Sequence, residues 1–260
     1  MIKKITIKKI LKKKNKTPIA CLTAYSKNIA EIADRYCDII LVGDSLGMVL
    51  YGMKTTRDMT IDTMLLHAKT VKKSTKKSLV VFDMPYKTYR DKFTAYKNAK
   101  RVIKFTKCDA IKLEGDKRIA KTIQYLVRKG IPVMGHVGLL PQTSNNFKVK
   151  GKNLSQKKKI LDDAIAICNS GAFAIVLECV VESLAKEITK SVSVPIIGIG
   201  ASKYCDGQIL VSDDMLGLNN FPPRFVKKYA KLNKSIETSI RNYTKDVRKR
   251  KFPYNNNTYK

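Results

Sequence analysis

Eight short apolar runs, most of them separated by stretches of helical length, constrain this chain more than any other feature. They lie at Ile19–Ala24, Ile39–Gly43, Leu79–Phe82, Ala110–Leu113, Pro132–Gly135, Phe173–Leu177, Pro195–Ile199 and Gln208–Val211. Each is brief and rich in Val and Ile, as strands buried on both faces must be. Ile61–Lys73 reads as an amphipathic helix opened by an N-cap at Thr60, and Phe93–Thr106 as a second. Ser155–Asn169 reads as a third, stopped near Gly171. Eight strands alternating with helices predict an α/β fold, a (β/α)8 TIM barrel rather than a doubly wound open sheet. No Pro/Ser-rich linker divides the chain, so residues 1–260 are expected to form a single domain. A basic N-terminal segment (1–17) leads into it, and a helical cap over about 221–260 begins near the FPP at 221–223.

Charge invites another reading. Lys and Arg number 52 against 21 Asp and Glu, a formal +31. Such an excess suits a polyanion partner, because cationic side chains release counterions from phosphate. Residues 1–17 carry eight Lys and no acid, residues 242–260 add +5, and the remaining +18 lies in short scattered groups such as Lys157-Lys158-Lys159. No zinc-finger spacing, RNP-type aromatic motif or long basic helix accompanies them. Lys, Asn, Ile and Tyr are all abundant and Trp is absent, as drift toward A/T-rich codons produces. No specific nucleic-acid partner is therefore expected.

An apolar fraction of 44% excludes general disorder. No run approaches the roughly 18 apolar residues of a membrane span, and the N-terminus lacks the apolar core of a signal peptide. Ile2, Ile5, Ile7, Ile10 and Leu11 alternate with lysines, a pattern that leaves a membrane-surface role open. The expected setting is cytoplasmic, without a membrane. Six cysteines without CxxC spacing read as thiols rather than a disulfide framework.

Chemistry appears where the polar residues at strand ends are collected, since a barrel builds its site at the C-terminal ends of its strands. Strand two ends in Asp44-Ser45, strand three in Asp83, and strand four carries Lys112 and Glu114. Strand five delivers His136, strand six ends in Glu178, and strand seven runs into IGIGAS, where Gly198 and Gly200 permit close backbone approach. Taken singly, each has a plainer role. Asp44 or Asp83 could cap a helix, Lys112 could neutralise Glu114, His136 could be a structural hydrogen-bonding residue, and Glu178 could pair with a nearby Lys. His67, inside a helical pattern, reads as structural. As a set on successive strands they converge on one point, which folding alone does not require. Buried carboxylates need a cation, and oxygen donors without Cys or His suit Mg²⁺ better than zinc.

These residues sit in motifs that resemble those of the ketopantoate hydroxymethyltransferase family. They are LTAY at 22–25, LVGDSLGM at 41–48, DMPY at 83–86, KLEG at 112–115, PVMGHVGLLPQ at 132–142, VLECV at 176–180, PIIGIGAS at 195–202 and CDGQILV at 205–211. The resemblance covers roughly residues 3–253. It implies a homodecameric (β/α)8 barrel that moves a hydroxymethyl group from 5,10-methylenetetrahydrofolate to 3-methyl-2-oxobutanoate, giving 2-dehydropantoate and tetrahydrofolate. It also implies Mg²⁺ on Asp44, Asp83 and Glu114, substrate contacts from Asp44, Ser45, Asp83, Lys112 and His136, and Glu178 as proton acceptor. Physically the assignment is coherent: a Lewis acid on the keto oxygen stabilises an enolate, and partial burial among Val176, Leu177 and Val180 suits Glu178 to be a base. The chain departs from the family pattern at Ser26, Val181 and Ser202, and in a short 143–150 loop. Two rival readings are another Mg²⁺ oxoacid lyase of similar barrel type and a polyanion-binding protein with a degenerate site.

Overall fold

The computed structural model describes residues 3–144 and 147–259. Ile2, Asn145, Asn146 and Lys260, which fall within features read from the sequence, lie outside the described residues. Eight parallel strands close into a barrel in chain order: β1 (Ile19–Thr23), β2 (Ile39–Val42), β3 (Leu79–Asp83), β4 (Ala110–Glu114), β5 (Val133–Gly138), β6 (Ala174–Glu178), β7 (Ile196–Ile199) and β8 (Gly207–Leu210). All eight sequence runs become strands, with ends displaced by three residues at most.

The helices are α1 (Ile7–Leu11), α2 (Lys27–Tyr36), α3 (Leu46–Tyr51), α4 (Ile61–Lys73), α5 (Lys92–Thr106), α6 (Ala120–Arg128), α7 (Leu154–Asn169), α8 (Glu182–Ser191), α9 (Ser212–Met215) and α10 (Leu232–Arg248). Thr60 caps α4 as its position predicts, its hydroxyl accepting from the Thr63 amide. Residues 1–211 form one compact unit and residues 212–260 a second. The second contains α9 and α10, and α10 exposes Ile236, Ile240, Tyr243 and Val247 along one stripe. No helix among the described residues is long and apolar enough to cross a membrane, and all six cysteines are free thiols.

Alternation along each strand divides the barrel into two apolar layers. Ile40, Val42, Val80, Phe82, Ile111, Leu113, Val133, Ile175 and Leu177 face outward, against the helices. Ile39, Leu41, Leu79, Val81, Ala110, Met134, Ala174, Val176, Ile197 and Ile209 face the axis. Ile5 and Ile10 join this inner cluster. Of the amphipathic N-terminus, Ile5 and Ile10 thus close the barrel floor and Ile7 packs against it, while Leu11 is exposed.

The same segment carries lysines with definite partners. Asp38, Asp109 and Asp206 each precede a strand, and each accepts the amide of a residue on the preceding strand: Ala20, Val80 and Ile196 respectively. Each also pairs with a lysine of the first 17 residues: Lys13 with Asp38 at 2.9 Å, Lys4 with Asp109 at 2.6 Å, and Lys14 with Asp206 at 2.8 Å. Lys14 and Asp206 are the most buried of these pairs, with side chains 10% and 3% exposed. Losing one partner of a buried pair leaves an uncompensated charge, whereas a half-exposed pair contributes little. Lys14→Met should therefore lower unfolding free energy by about 3 kcal/mol and Lys4→Met by less than about 1 kcal/mol, as read by urea denaturation.

Candidate active site

Barrel parity sets the inventory of the site. In β3, β4, β5 and β6 the inward series that is apolar lower down continues upward as Asp83, Lys112 with Glu114, His136 and Glu178. Parallel pairing then sets neighbours: Asp83 lies in register with Lys112, Glu114 with His136, and Gly138 with Glu178. Asp44 enters from the loop after β2, its backbone N–H donating to Asp83 Oδ2 at 3.4 Å. Asp44, Asp83, Lys112, Glu114 and His136 are all buried, and Glu178 is partly exposed.

The plainer readings of these residues do not hold. Ser45, not Asp44, occupies the N-cap of α3, and Asp83 is a strand residue that caps no helix. Lys112 bonds both oxygens of Asp83 at 2.7 Å rather than pairing with Glu114. Among the described residues Glu178 pairs with no lysine; its near partner is His136, whose Nε2 lies 3.2 Å from Glu178 Oε2. On the other side His136 Nδ1 lies 3.5 Å from Glu114 Oε2. Neither contact has the alignment of a good hydrogen bond, so the buried imidazole stands between two carboxylates with both nitrogens poorly satisfied. Leu177 and Val180 belong to the outer apolar layer, so of the three residues expected to bury Glu178 only Val176 is on the inner side. Ser45 is held by the Tyr25 hydroxyl at 2.8 Å. His67 lies in α4, its Nδ1 2.7 Å from the Tyr25 carbonyl oxygen.

Electrostatics follow from burial. Burial and the charge of Asp83 push the Asp44 carboxyl up to about 7. Glu114 is driven well above the usual carboxylate range by burial and, against the pull of Lys112, by Asp44. Burial works to discharge Lys112, but Asp83, Asp44 and Glu114 overcome it and hold the ammonium above its ordinary value. Burial and Lys112 keep His136 below its usual value, toward the neutral imidazole. Lys112 thus lies among three acids, Asp83, Asp44 and Glu114. Carboxylate oxygens such as those of Asp44, Asp83 and Glu114 are the donor type a divalent cation such as Mg²⁺ takes. Among the described residues, however, no group of three or more His, Cys, Asp or Glu side chains is placed to hold a metal ion, and both Asp83 oxygens are bonded to Lys112.

The backbone around the site is tight. Gly138 has φ +98°, and a Cβ there would fall 2.5 Å from the Glu178 carbonyl oxygen. Gly198 is packed against the chain's own Cys205 and Gln208 side chains rather than an open approach. Of the departures from the family pattern, Ser26 and Val181 sit at the N-caps of α2 and α8. Ser202 accepts from the Tyr204 amide, and the 143–150 loop rejoins the fold through a bridge between Lys150 and Val180. A separate cleft beside α7, lined by Gly115, Gly138, Lys150 and Asp163, holds none of the acids described above. Sequence reasoning missed Gln142, a fully buried residue bonded to Asp44 and Glu114. Its place at the end of PVMGHVGLLPQ was the available signal.

Comparison with known proteins supplies a family. The family model described as ketopantoate hydroxymethyltransferase matches residues 4–255. A 3-methyl-2-oxobutanoate hydroxymethyltransferase of Pelagibacter ubique is 55% identical over 97% of this chain and 99% of its own length. A protein of the same name from Rhizobium etli is 50% identical over 99% and 96%. Among solved structures, 2,3-dimethylmalate lyase superposes with a TM-score of 0.62 at 13% identity, covering 95% of this chain and 85% of that one. A phosphonopyruvate hydrolase in complex with oxalate and Mg²⁺ gives 0.62 at 10% identity, covering 97% and 93%. At such identities these structures establish the shared barrel, while the sequence relatives establish more: the chain belongs to the ketopantoate hydroxymethyltransferase family.

Proposed function

We propose that this hydroxymethyltransferase takes its one-carbon unit from 5,10-methylenetetrahydrofolate and adds it to C3 of 3-methyl-2-oxobutanoate, with Mg²⁺ as cofactor. The products are 2-dehydropantoate and tetrahydrofolate. The observation that carries this reading is the convergence of Asp44, Asp83, Lys112, Glu114, His136 and Glu178 at one end of the barrel axis. Asp44, Asp83 and Glu114 would hold the ion, which when bound supplies Lewis acidity to the keto oxygen of the oxoacid and lowers the cost of losing the C3 proton.

The remaining steps belong to the protein's own groups. Lys112 places a fixed positive charge beside an anionic substrate, and Ser45, oriented by Tyr25, offers a hydroxyl for its oxygens. A Glu178 carboxylate oxygen accepts the C3 proton. His136, held toward the neutral imidazole and with Nε2 3.2 Å from that carboxylate, offers the substrate a hydrogen-bonding edge. Water adds its oxygen to the methylene carbon of the folate, both carbon–nitrogen bonds to that carbon break, and water's two hydrogens end on the two nitrogens. This yields tetrahydrofolate and a one-carbon unit at the oxidation level of formaldehyde. The C3 carbanion adds to that carbon, and the resulting alkoxide takes back the proton held by Glu178. A homodecamer and a cytoplasmic setting complete the proposal; the apolar stripe on α10 supports self-association.

The direct test is Mg²⁺-dependent formation of tetrahydrofolate from these two substrates; none from the intact protein would remove the reading. Glu178→Gln should abolish exchange of the C3 hydrogen of 3-methyl-2-oxobutanoate into D₂O, followed by proton NMR, while leaving oxoacid binding within a few-fold of the parent. Undiminished exchange would exclude Glu178 as the base. Asp44 supplies a second check. Below about 7 it carries a proton that an incoming ion must displace. Mg²⁺ affinity should therefore rise with pH through about 7, with proton release on binding at lower pH. Calorimetry in buffers of different ionisation enthalpy reads both, and an affinity flat with pH would contradict the assignment of Asp44 as a ligand.

A further inference from the structure

Among the acids sits one neutral side chain with each of its polar groups in use. Gln142, in the loop after β5, is completely buried. Its amide nitrogen donates to Asp44 Oδ2 at 2.9 Å and to the Met84 carbonyl oxygen at 3.0 Å. Its backbone N–H donates to Glu114 Oε1 at 2.8 Å, and its carbonyl oxygen accepts from Arg57 Nε at 3.0 Å. The Tyr89 hydroxyl meets the amide oxygen and also reaches the Glu114 carbonyl oxygen at 3.1 Å. The orientation of the amide is chemically determined: Asp44 Oδ2 and the Met84 carbonyl are both acceptors, so only the NH₂ end can face them.

We propose that Gln142 is a positioning residue, which sets the Asp44 and Glu114 carboxylates in place to receive the divalent ion. The inference rests on the reading of those carboxylates as metal ligands. Asp44 follows β2 and Glu114 ends β4, so the two acids lie on strands that are not neighbours. One residue reaches both, through its side chain and its main chain, and commits one oxygen of each carboxylate. Asp83, on the strand between them, is held separately by Lys112 and the Asp44 amide. A neutral double donor is the residue this place requires. A lysine there would discharge one acid and compete with the ion, and a carboxylate would add repulsion to an already acidic pocket. Arg57 and Tyr89 then fix Gln142 from two further loops, so its geometry does not depend on the 143–150 segment alone.

Gln142→Met keeps the length of the side chain, removes the amide and retains the backbone N–H to Glu114. In the metal-free protein, calorimetric titration with Mg²⁺ or Mn²⁺ alone should show affinity about 10–100-fold weaker than the parent, the usual effect of removing a group that orients metal ligands. The measurement is made well below the melting temperature, where circular dichroism shows the variant folded. Tyr89→Phe retains the amide but frees it to turn, and should weaken binding in the same direction by less. It carries the test if the methionine variant does not fold. Folded variants that bind Mg²⁺ as tightly as the parent, with only the melting temperature lowered, would make Gln142 purely structural and overturn the inference while leaving the metal-site reading intact. A parent protein that takes up no ion would overturn both, before any variant is compared.

Discussion

A sheet closed on itself turns alternate residues of eight strands toward one axis, and water has little access there. Everything else in the barrel unit answers to that constraint. Low on the axis the inward positions are Leu, Ile, Val, Ala and Met, and Ile5 with Ile10 closes the floor. One or two positions higher, in the same inward series, stand Asp83, Lys112, Glu114, His136 and Glu178. The strands do not change character between the two levels; only the side chains do. The switch is staggered, since Lys112 pairs with Met134 and His136 with Val176, but the parallel register also sets Asp83 beside Lys112 and Glu114 beside His136, so the charges meet rather than scatter.

Such a meeting is costly, because a low-dielectric interior penalises every unpaired charge. The barrel treats its acids in two different ways. On the floor, Asp38, Asp109 and Asp206 are each satisfied by a lysine and a backbone amide. At the opposite end, Asp44 and Glu114 receive hydrogen bonds from Gln142 but no lysine of their own. Their raised proton affinity expresses that difference. A protein with 52 Lys and Arg has ample cations to place there, yet among its described lysines and arginines Lys112 alone forms an ion pair with one of the site's acids, Asp83. The shortage of positive charge at the active end is thus local, and it persists in a chain whose total charge is strongly positive.

The barrel was legible because its evidence is local: each strand is a short Val- and Ile-rich run, and Thr60 and Gly171 mark helix ends within a few residues of their effect. The six site residues were legible for a related reason, since a polar residue at the end of an apolar run stands out in one dimension. Partnerships were not. Lys112 is two residues from Glu114 yet bonds Asp83, because the register between β3 and β4 decides it. Gln142 has neither charge nor an apolar run to mark it, and its partners come from positions between 44 and 114. The N-terminal lysines looked like surface charge for the converse reason: their acids lie up to 192 positions away.

Lys112 shows how the two ends of the barrel are connected in logic. Its ammonium holds both Asp83 oxygens and is sustained in the charged state by three carboxylates, so it already plays the electrostatic part of a cation at the centre. A single ammonium does not balance three acids, and burial raises the proton affinity of Asp44 and Glu114 instead. Under the proposed function, a divalent ion would meet that deficit and leave the lysine's attraction for an anionic substrate. A second lysine would have balanced more of the charge and made the pocket more stable, but it would have left the acids less able to accept a metal.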